Sequence, residues 1–131
     1  MANDKWVETT NARIRLRDDG IVEFRAYNGA DDTLETAQEN MAVFNRLLGE
    51  RAPGPILVFI AGIKSQSRDA RAFLSKSDES LKTCSRVALV VDSPLSRALG
   101  NVFIGLSKSR SPLKLFNSEQ EAVLWLKQDQ K

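Results

Sequence analysis

The segment Gly62–Ser65, with the sequence Gly-Ile-Lys-Ser, contains residue types that can bind phosphate at the start of a helix. A P-loop places a lysine and a hydroxyl residue directly after a glycine, so that the backbone and the lysine hold the phosphates. The motif also needs a second glycine five residues further upstream. Here Ile63 precedes Lys64, and Val58 stands at the upstream position. The P-loop motif is therefore absent, although a helix N-terminus in this place can still attract an anion.

The absence of histidine limits the chemistry more than any other feature of the composition. The chain has no histidine and one cysteine, Cys84. Catalytic devices that need an imidazole, and metal sites built from imidazoles, are excluded, and one cysteine cannot complete a zinc site. Acid–base chemistry would fall to Asp, Glu, Lys or Tyr27, and no recognisable motif organises them. We therefore expect a protein that is not an enzyme and that has no cofactor and no metal.

The single cysteine and the N-terminus point to the same compartment. Cys84 has no partner for an intramolecular disulfide, which is typical of a reducing environment, and a structural thiol is the expected role. Residues 1–6 are polar and lack the apolar stretch of a signal peptide. The longest apolar run, residues 56–62, is too short to cross a membrane. The sequence predicts a cytoplasmic protein without a membrane span.

Charge is distributed unevenly along the chain. Residues 1–65 hold 8 Lys/Arg and 10 Asp/Glu, whereas residues 66–131 hold 11 and 7, for a net charge of +2 overall. The second half is only mildly basic and lacks the concentrated positive charge of nucleic-acid-binding proteins. No nucleic-acid partner is expected.

The N-terminal part of the chain has the pattern of a hairpin followed by a helix. Residues 13–17 and 21–27 have strand periodicity on either side of a turn at Asp18–Gly20. Asp32 and Glu35 have the spacing of a capping box, which predicts that a helix begins there. Its apolar stripe recurs at spacings of three and four up to Gly49, the expected end: Leu34, Ala37, Met41, Phe44 and Leu48.

Two continuous apolar runs, Ile56–Ile60 and Val87–Val91, predict strands that are buried on both faces. Ser67 after the first run and Ser93-Pro94 after the second are helix-start signals. The last predicted elements are a short strand at Leu113–Phe116 and a helix that opens at a capping box on Ser118.

The predicted order of elements is ββαβαβαβα. Successive βα units after a hairpin indicate an α/β protein, with a mixed five-stranded sheet flanked by helices and right-handed crossovers. No repeat or composition shift divides the chain, so a single domain over residues 1–131 is expected.

Two segments carry a resemblance to a known family. One runs from the strand Ile56–Ile60 through Ala61-Gly62-Ile63 into the helix start at Ser67, and the other is Val91–Asn101, followed by Pro112–Phe116. With the order of elements, they make the chain resemble the STAS domains of the SpoIIAA-like family over nearly its whole length. The second segment is similar to an uncharacterised bacterial SpoIIAA-like branch. The resemblance implies a SpoIIAA-like fold and a non-catalytic regulatory module that binds a protein partner, which the sequence does not identify.

In signalling STAS domains a partner kinase phosphorylates a serine at the start of the second helix, within an Asp-Ser-Ser-Gly segment. The corresponding residues here are Ser67-Arg68-Asp69-Ala70, so Asp69 stands where the family has its switch serine. By resemblance, two interpretations stay open: Ser65 or Ser67 is phosphorylated instead, or Asp69 is a fixed negative charge. The residues alone favour a simpler role, with Ser67 as an N-cap and Asp69 stabilised by the helix dipole.

The resemblance places the partner-binding surface at the loop and helix start after the third strand, with the segment after the fourth strand beside it. The predicted partner-binding or switch residues are Gly62, Lys64, Ser65, Ser67, Asp69, Ser93, Arg97 and Asn101.

An alternative function of a different class is a small carrier of a lipid or another apolar ligand. The SpoIIAA-like fold is shared by lipid-binding domains of the Sec14 type, which hold an apolar ligand behind a helix. For this chain the carrier hypothesis predicts a cavity under the third helix, lined by residues such as Leu99, Phe103 and Ile104. A homodimer is also compatible with the sequence, which contains no feature that tests it.

Overall fold

The computed structural model of the chain describes residues 5–94, 97–98 and 109–128. Its strands are β1 (Val7–Glu8), β2 (Ala12–Leu16), β3 (Val22–Ala26), β4 (Ala30–Asp32), β5 (Gly54–Phe59), β6 (Ile63–Gln66), β7 (Cys84–Val90) and β8 (Leu113–Phe116). Six of them form one sheet in the order β1-β2-β3-β5-β7-β8. Pairing is antiparallel from β1 to β3 and parallel from β3 to β8. The predicted α/β class and mixed sheet are confirmed, and β1 adds an edge strand to the five that were predicted.

A second, two-stranded sheet forms where the sequence predicted only loops. β4 pairs with β6 in parallel, with Ala30 opposite Ile63 and Asp32 opposite Gln66. The predicted loops over residues 28–32 and 61–66 are therefore wrong in part. The reason is topological: β3 and β5 are parallel neighbours, so the segments that follow them leave the sheet side by side and satisfy each other's backbone groups.

The helices are α1 (Leu34–Leu48), α2 (Arg68–Lys76), α3 (Asp78–Thr83) and α4 (Glu119–Lys127), with a 3₁₀ turn at Gly49–Arg51 after α1. Ser67, Ser77 and Ser118 cap α2, α3 and α4, because each side chain accepts a hydrogen bond from the backbone N–H three residues later. The predicted caps at Ser67 and Ser118 are confirmed. Pro94, at the predicted start of another helix, is described, but most of that helix lies outside the described residues.

The predicted cap of α1 is wrong by one residue. Thr33, not Asp32, is the N-cap, and its partner in the capping box is Thr36 rather than Glu35. Asp32 belongs to β4, and its carboxylate accepts hydrogen bonds from the Thr36 hydroxyl at 2.8 Å and the Gln66 amide at 3.0 Å. Its strand pairing with Gln66 therefore moves the cap to the next residue.

The sheet buries different side chains on its two faces. The α1 face carries the larger core, with Ile14, Phe24 and Ile56 packed against Met41 and Phe44. On the other face, α4 covers an apolar patch through Ala122 and Leu126, with these partners: Ile21, Leu57, Ala88, Val90 and Phe116. Both helices bury one stripe, as their apolar spacing predicts.

Next to the α4 patch, the same face carries an ionic cluster on β2 and β3. Glu23 is fully buried, and its two carboxylate oxygens accept from Arg15 Nε at 3.0 Å and Arg25 Nε at 2.6 Å. Both arginine side chains are partly exposed, at 29% and 36%. Glu119 at the start of α4 lies at the edge of this cluster, 3.7 Å from Arg25. Glu23 is thus a buried carboxylate whose charge is balanced by two flanking guanidinium groups.

Candidate functional site

Most of the predicted partner-binding residues lie on one continuous surface. We call the segment Gly62–Asp69, which runs along β6 into the first turn of α2, the β6–α2 surface. Lys64, Ser65, Ser67 and Asp69 are all exposed on it. Lys64 and Ser65 lie on strand β6 instead of the predicted loop, whereas Ser67 and Asp69 lie at the helix start as predicted. This placement does not by itself assign them a function.

Ser65, Lys64 and Asp31 form a small polar cluster across the pair β4–β6. The Ser65 hydroxyl donates to Asp31 Oδ1 at 2.6 Å, and Lys64 Nζ lies 3.7 Å from the same oxygen. The hydrogen bond from Ser65, and then the positive charge of Lys64, lower the pKa of the Asp31 carboxyl below its usual value. Asp31 was not singled out from the sequence, because only the strand pairing brings it opposite Ser65.

Ser67 and Asp69 have the local environment that their helix positions predict. The Ser67 Oγ accepts from the Ala70 N–H at 3.0 Å, and Asp69 lies in the first turn of α2. A capping hydroxyl and an acidic first turn stabilise any helix. The side chain of Asp69 is exposed, so its charge is available to a partner.

Gly62 has a structural reason to be glycine. Its carbonyl oxygen accepts from the N–H groups of Gly29 and Ala30 at 2.9 and 3.1 Å. A Cβ added at Gly62 would lie 2.6 Å from the carbonyl oxygen of Tyr27 and 2.8 Å from that of Ala26. The backbone after β3 therefore approaches Gly62 closely, and the residue holds the surface in place instead of presenting a side chain.

The second predicted segment follows β7. Because β5 and β7 are parallel neighbours, with Phe59 opposite Val90, Ser93 and Arg97 leave the sheet at the same edge as the β6–α2 surface. The Ser93 carbonyl accepts from the Arg97 N–H at 2.9 Å, one helical turn later. Asn101 lies outside the described residues, as do Leu99, Phe103 and Ile104 of the carrier hypothesis.

Asp32 connects three chain segments and was not recognised from the sequence as more than a cap. Its side chain binds Thr36 on α1 and Gln66 on β6, and its carbonyl oxygen accepts from the Ser67 N–H at 2.9 Å. The residue is 6% exposed. Asp32 thus fixes the β6–α2 surface to the start of α1.

Cys84 is a structural thiol, as predicted. It is buried, and burial raises its pKa to about 12. The thiolate is the reactive form of cysteine, so Cys84 is a poor nucleophile at neutral pH.

Two further classes of site can be assessed in the part of the chain that the structure describes. There, no group of three or more Asp, Glu or Cys side chains is arranged to hold a metal ion. Over the same residues, no helix combines the length and the apolar character that a membrane crossing requires.

Comparison with solved structures identifies the fold. An uncharacterised protein of the DUF3478 family from Shewanella loihica PV-4, described as having a SpoIIAA-like fold, is 18% identical, with a TM-score of 0.53 over 93% of this chain and 90% of that one. The anti-sigma factor antagonist SpoIIAA in its unphosphorylated form is 14% identical, with a TM-score of 0.57 over 88% of this chain and 97% of that one. The fold is therefore SpoIIAA-like.

A protein of unknown function from Arthrobacter sp. FB24 is 35% identical over 86% of this chain and 96% of that one, with a TM-score of 0.34. Among proteins with curated descriptions, none matches significantly. The model of one family, described as a domain of unknown function (DUF7793), matches residues 14–130. Since that match spans nearly the whole chain, the protein belongs to the DUF7793 family.

Proposed function

We propose that this protein is a regulatory protein-interaction module of the STAS type and has no catalytic activity. The observation that carries the proposal is the β6–α2 surface, where charged and hydroxyl side chains stand exposed on a backbone that β4 and Asp32 hold in place. Exposed polar residues on a rigid scaffold are typical of binding sites. The fold supports the proposal, because one protein that shares it is an anti-sigma factor antagonist.

Ser65 suits a phosphorylation switch better than Ser67. A phosphoryl group on Ser65 Oγ would replace the proton that this hydroxyl donates to Asp31 and would place negative charge beside a carboxylate. Lys64 carries one positive charge and offsets the repulsion only in part, so the contact between Ser65 and Asp31 would break and the surface would change. A phosphoryl group on Ser67 would lie at the N-terminus of α2, where the helix dipole favours negative charge.

Mapping phosphopeptides of the protein purified from its own cells tests this part of the proposal. We expect phosphate on Ser65. Phosphate on Ser67 with none on Ser65 would contradict the assignment of the switch, while leaving the interaction surface itself to be tested separately.

Reversing the charge of Asp69 tests the surface. The wild type, Asp69→Lys and Glu121→Lys are compared as baits in a lysate of the source organism, with captured proteins quantified by mass spectrometry. Glu121→Lys is the matched control, because Glu121 is an exposed acidic residue in the first turn of another helix, α4. We expect at least one protein to be retained by the wild type and the control and reduced about tenfold or more by Asp69→Lys, since like charges at an interface weaken binding.

If Asp69→Lys retained every protein that the wild type captures, the β6–α2 surface would not be the partner-binding surface. Equal losses with Glu121→Lys would contradict it as well, because they would show that the reduction follows net charge and not position.

A further inference from the structure

An open groove lies at the ends of β3 and β5, on the face of the sheet that carries the ionic cluster. We call it the arginine groove. Two arginines, two aromatic rings and residues of the segments beyond the strands line it: Arg13, Arg25, Tyr27, Phe59, Asn28 and Gly62. The groove is accessible from solvent, because Arg13 and Asn28 are exposed and the two rings are partly exposed.

Strand pairing places the two arginines side by side. Arg13 on β2 is directly opposite Arg25 on β3, and Arg25 is directly opposite Phe59 on β5. Directly opposite residues of an antiparallel pair project from the same face, with Cβ atoms about 4.5–5.5 Å apart. Like charges in this arrangement destabilise a sheet, so a negative group bound between Arg13 and Arg25 would remove a repulsion as well as add contacts.

Arg25 is held in a fixed position within this row. Its guanidinium group lies over the Phe59 ring, 3.7 Å from the centroid, and its Nε donates to Glu23 at 2.6 Å. The side chain is nevertheless 36% exposed, so part of the guanidinium group faces solvent. An arginine that is stacked and bonded on one side has little freedom left to lose when an anion binds on the other.

Arg13 supplies the positive charge that the described residues do not balance. Its guanidinium group lies over the Trp6 ring, 4.4 Å from the centroid, and among the described residues no carboxylate lies within ion-pair distance of it. Glu8 is opposite Arg13 on β1, but its carboxylate accepts from the Tyr27 hydroxyl at 2.8 Å. A stacked guanidinium group keeps its N–H groups for a carboxylate in the plane of the fork.

The open shape of the groove favours a chain segment over a free small anion. Small-ligand sites enclose roughly 70–90% of the ligand surface, which a groove open to solvent does not do. A segment gains further contacts along the surface on either side of its carboxylates. The groove also reaches Gly62, where the β6–α2 surface begins, so one partner can contact both.

We propose that the arginine groove binds an acidic segment of the protein partner, with carboxylate groups held by Arg13 and Arg25. The inference rests on the proposed function, because the segment belongs to the partner of the interaction module. It adds the chemistry of that partner and a second surface, which shares only Gly62 with the first.

Titration of the ¹⁵N-labelled full chain with a blocked hexaglutamate peptide tests the proposal. At neutral pH and low salt we expect saturable binding with a dissociation constant of about 1 mM, weakened at physiological ionic strength. The resonance shifts should include the Nε–H groups of Arg13 and Arg25 and the backbone N–H of Asn28. Failure to bind, or shifts confined to other parts of the chain, would overturn the proposal.

Two further probes separate a segment from simpler ligands. Sodium acetate at the same carboxylate concentration and a blocked hexalysine peptide should both leave the groove resonances in place. Equal shifts with acetate would overturn the proposal, since a free anion would then be enough. Equal shifts with hexalysine would show that the groove does not select negative charge and would overturn it too.

Arg13→Gln removes the unbalanced charge from an exposed side chain. Arg46→Gln is the matched control, because Arg46 is an exposed arginine in the last turn of α1, which packs on the other face of the sheet. We expect Arg13→Gln to weaken hexaglutamate binding about fivefold and Arg46→Gln to leave it unchanged. Equal weakening by the two variants would mean that binding follows net charge, which contradicts a site at Arg13.

A lysate capture with Arg13→Gln separates this inference from the proposed function. We expect a protein that Asp69→Lys reduces to be reduced by Arg13→Gln also, and to be displaced from the wild type by hexaglutamate. If Asp69→Lys reduced its capture while Arg13→Gln and hexaglutamate did not, the interaction module would stand and the inference about the groove would be wrong.

Discussion

Glu23→Gln should lower the free energy of unfolding by about 2–4 kcal/mol, measured by urea denaturation at neutral pH. The Glu23 side chain is fully buried, and its two oxygens accept from Arg15 and Arg25. Glutamine keeps one acceptor and turns the other position into a donor that faces a guanidinium group. Two positive charges then lie side by side on the sheet without the carboxylate between them. Since both arginines are partly exposed, water relieves part of the repulsion, and the expected loss stays below that of a fully buried pair.

Glu119→Gln is the control for this measurement. Glu119 also lies near arginines, 3.4 Å from Arg17 and 3.7 Å from Arg25, but its side chain is 46% exposed. Exposed ion pairs contribute little to stability, so we expect the free energy of unfolding of Glu119→Gln to stay within about 0.5 kcal/mol of the wild type. If both variants lost the same stability, burial would not explain the effect of Glu23, and the account of the ionic cluster would be wrong.

Gly62→Ala should also cost about 2–4 kcal/mol of unfolding free energy, for a steric reason. The new Cβ would lie 2.6 and 2.8 Å from two backbone carbonyl oxygens, and backbone cannot turn aside as a flexible side chain can. The chain after β3 would have to move away from Gly62, which breaks the bonds that Gly29 and Ala30 donate to its carbonyl. Because these bonds hold β4 beside β6, amide hydrogen exchange in both strands should accelerate together.

Ala61→Ser adds one heavy atom at the adjacent, exposed residue and serves as the control for Gly62→Ala. We expect its unfolding free energy to stay within about 0.5 kcal/mol of the wild type. Wild-type stability of the Gly62→Ala protein would show that the backbone is not held as closely as described.

Five of the six described strands of the main sheet could be predicted because their signal is local. Ile56–Ile60 is apolar without interruption, as a strand buried on both faces requires, and β5 is found there, beginning at Gly54. β4 could not be predicted, since two of its three residues are aspartates, which are poor strand formers. Its pairing depends on β6, more than thirty residues later, and the intervening sequence contains no sign of it.

The candidate surface contains both local contacts and contacts between distant parts of the chain. The Ser67 cap follows from residue types within one helical turn, so the sequence was enough to place it. The bonds from Thr36 and Gln66 to the Asp32 carboxylate are different, because Gln66 comes beside Asp32 only when β4 pairs with β6. Nothing in the spacing of these residues along the chain predicts that pairing.

The bonds made by Asp32 have a consequence for the entropy of association. A flexible loop loses conformational freedom when a partner binds it, and that loss subtracts from the affinity. The backbone of β6 has already lost this freedom on folding, because β4 pairs with it. The Asp32 carbonyl oxygen also accepts a hydrogen bond from the N–H of Ser67, the N-cap of α2. A partner that docks here therefore has only side chains to order, at roughly 0.5–1.5 kcal/mol for each long one. Fewer contacts are then needed for a given affinity than on a flexible loop with the same side chains.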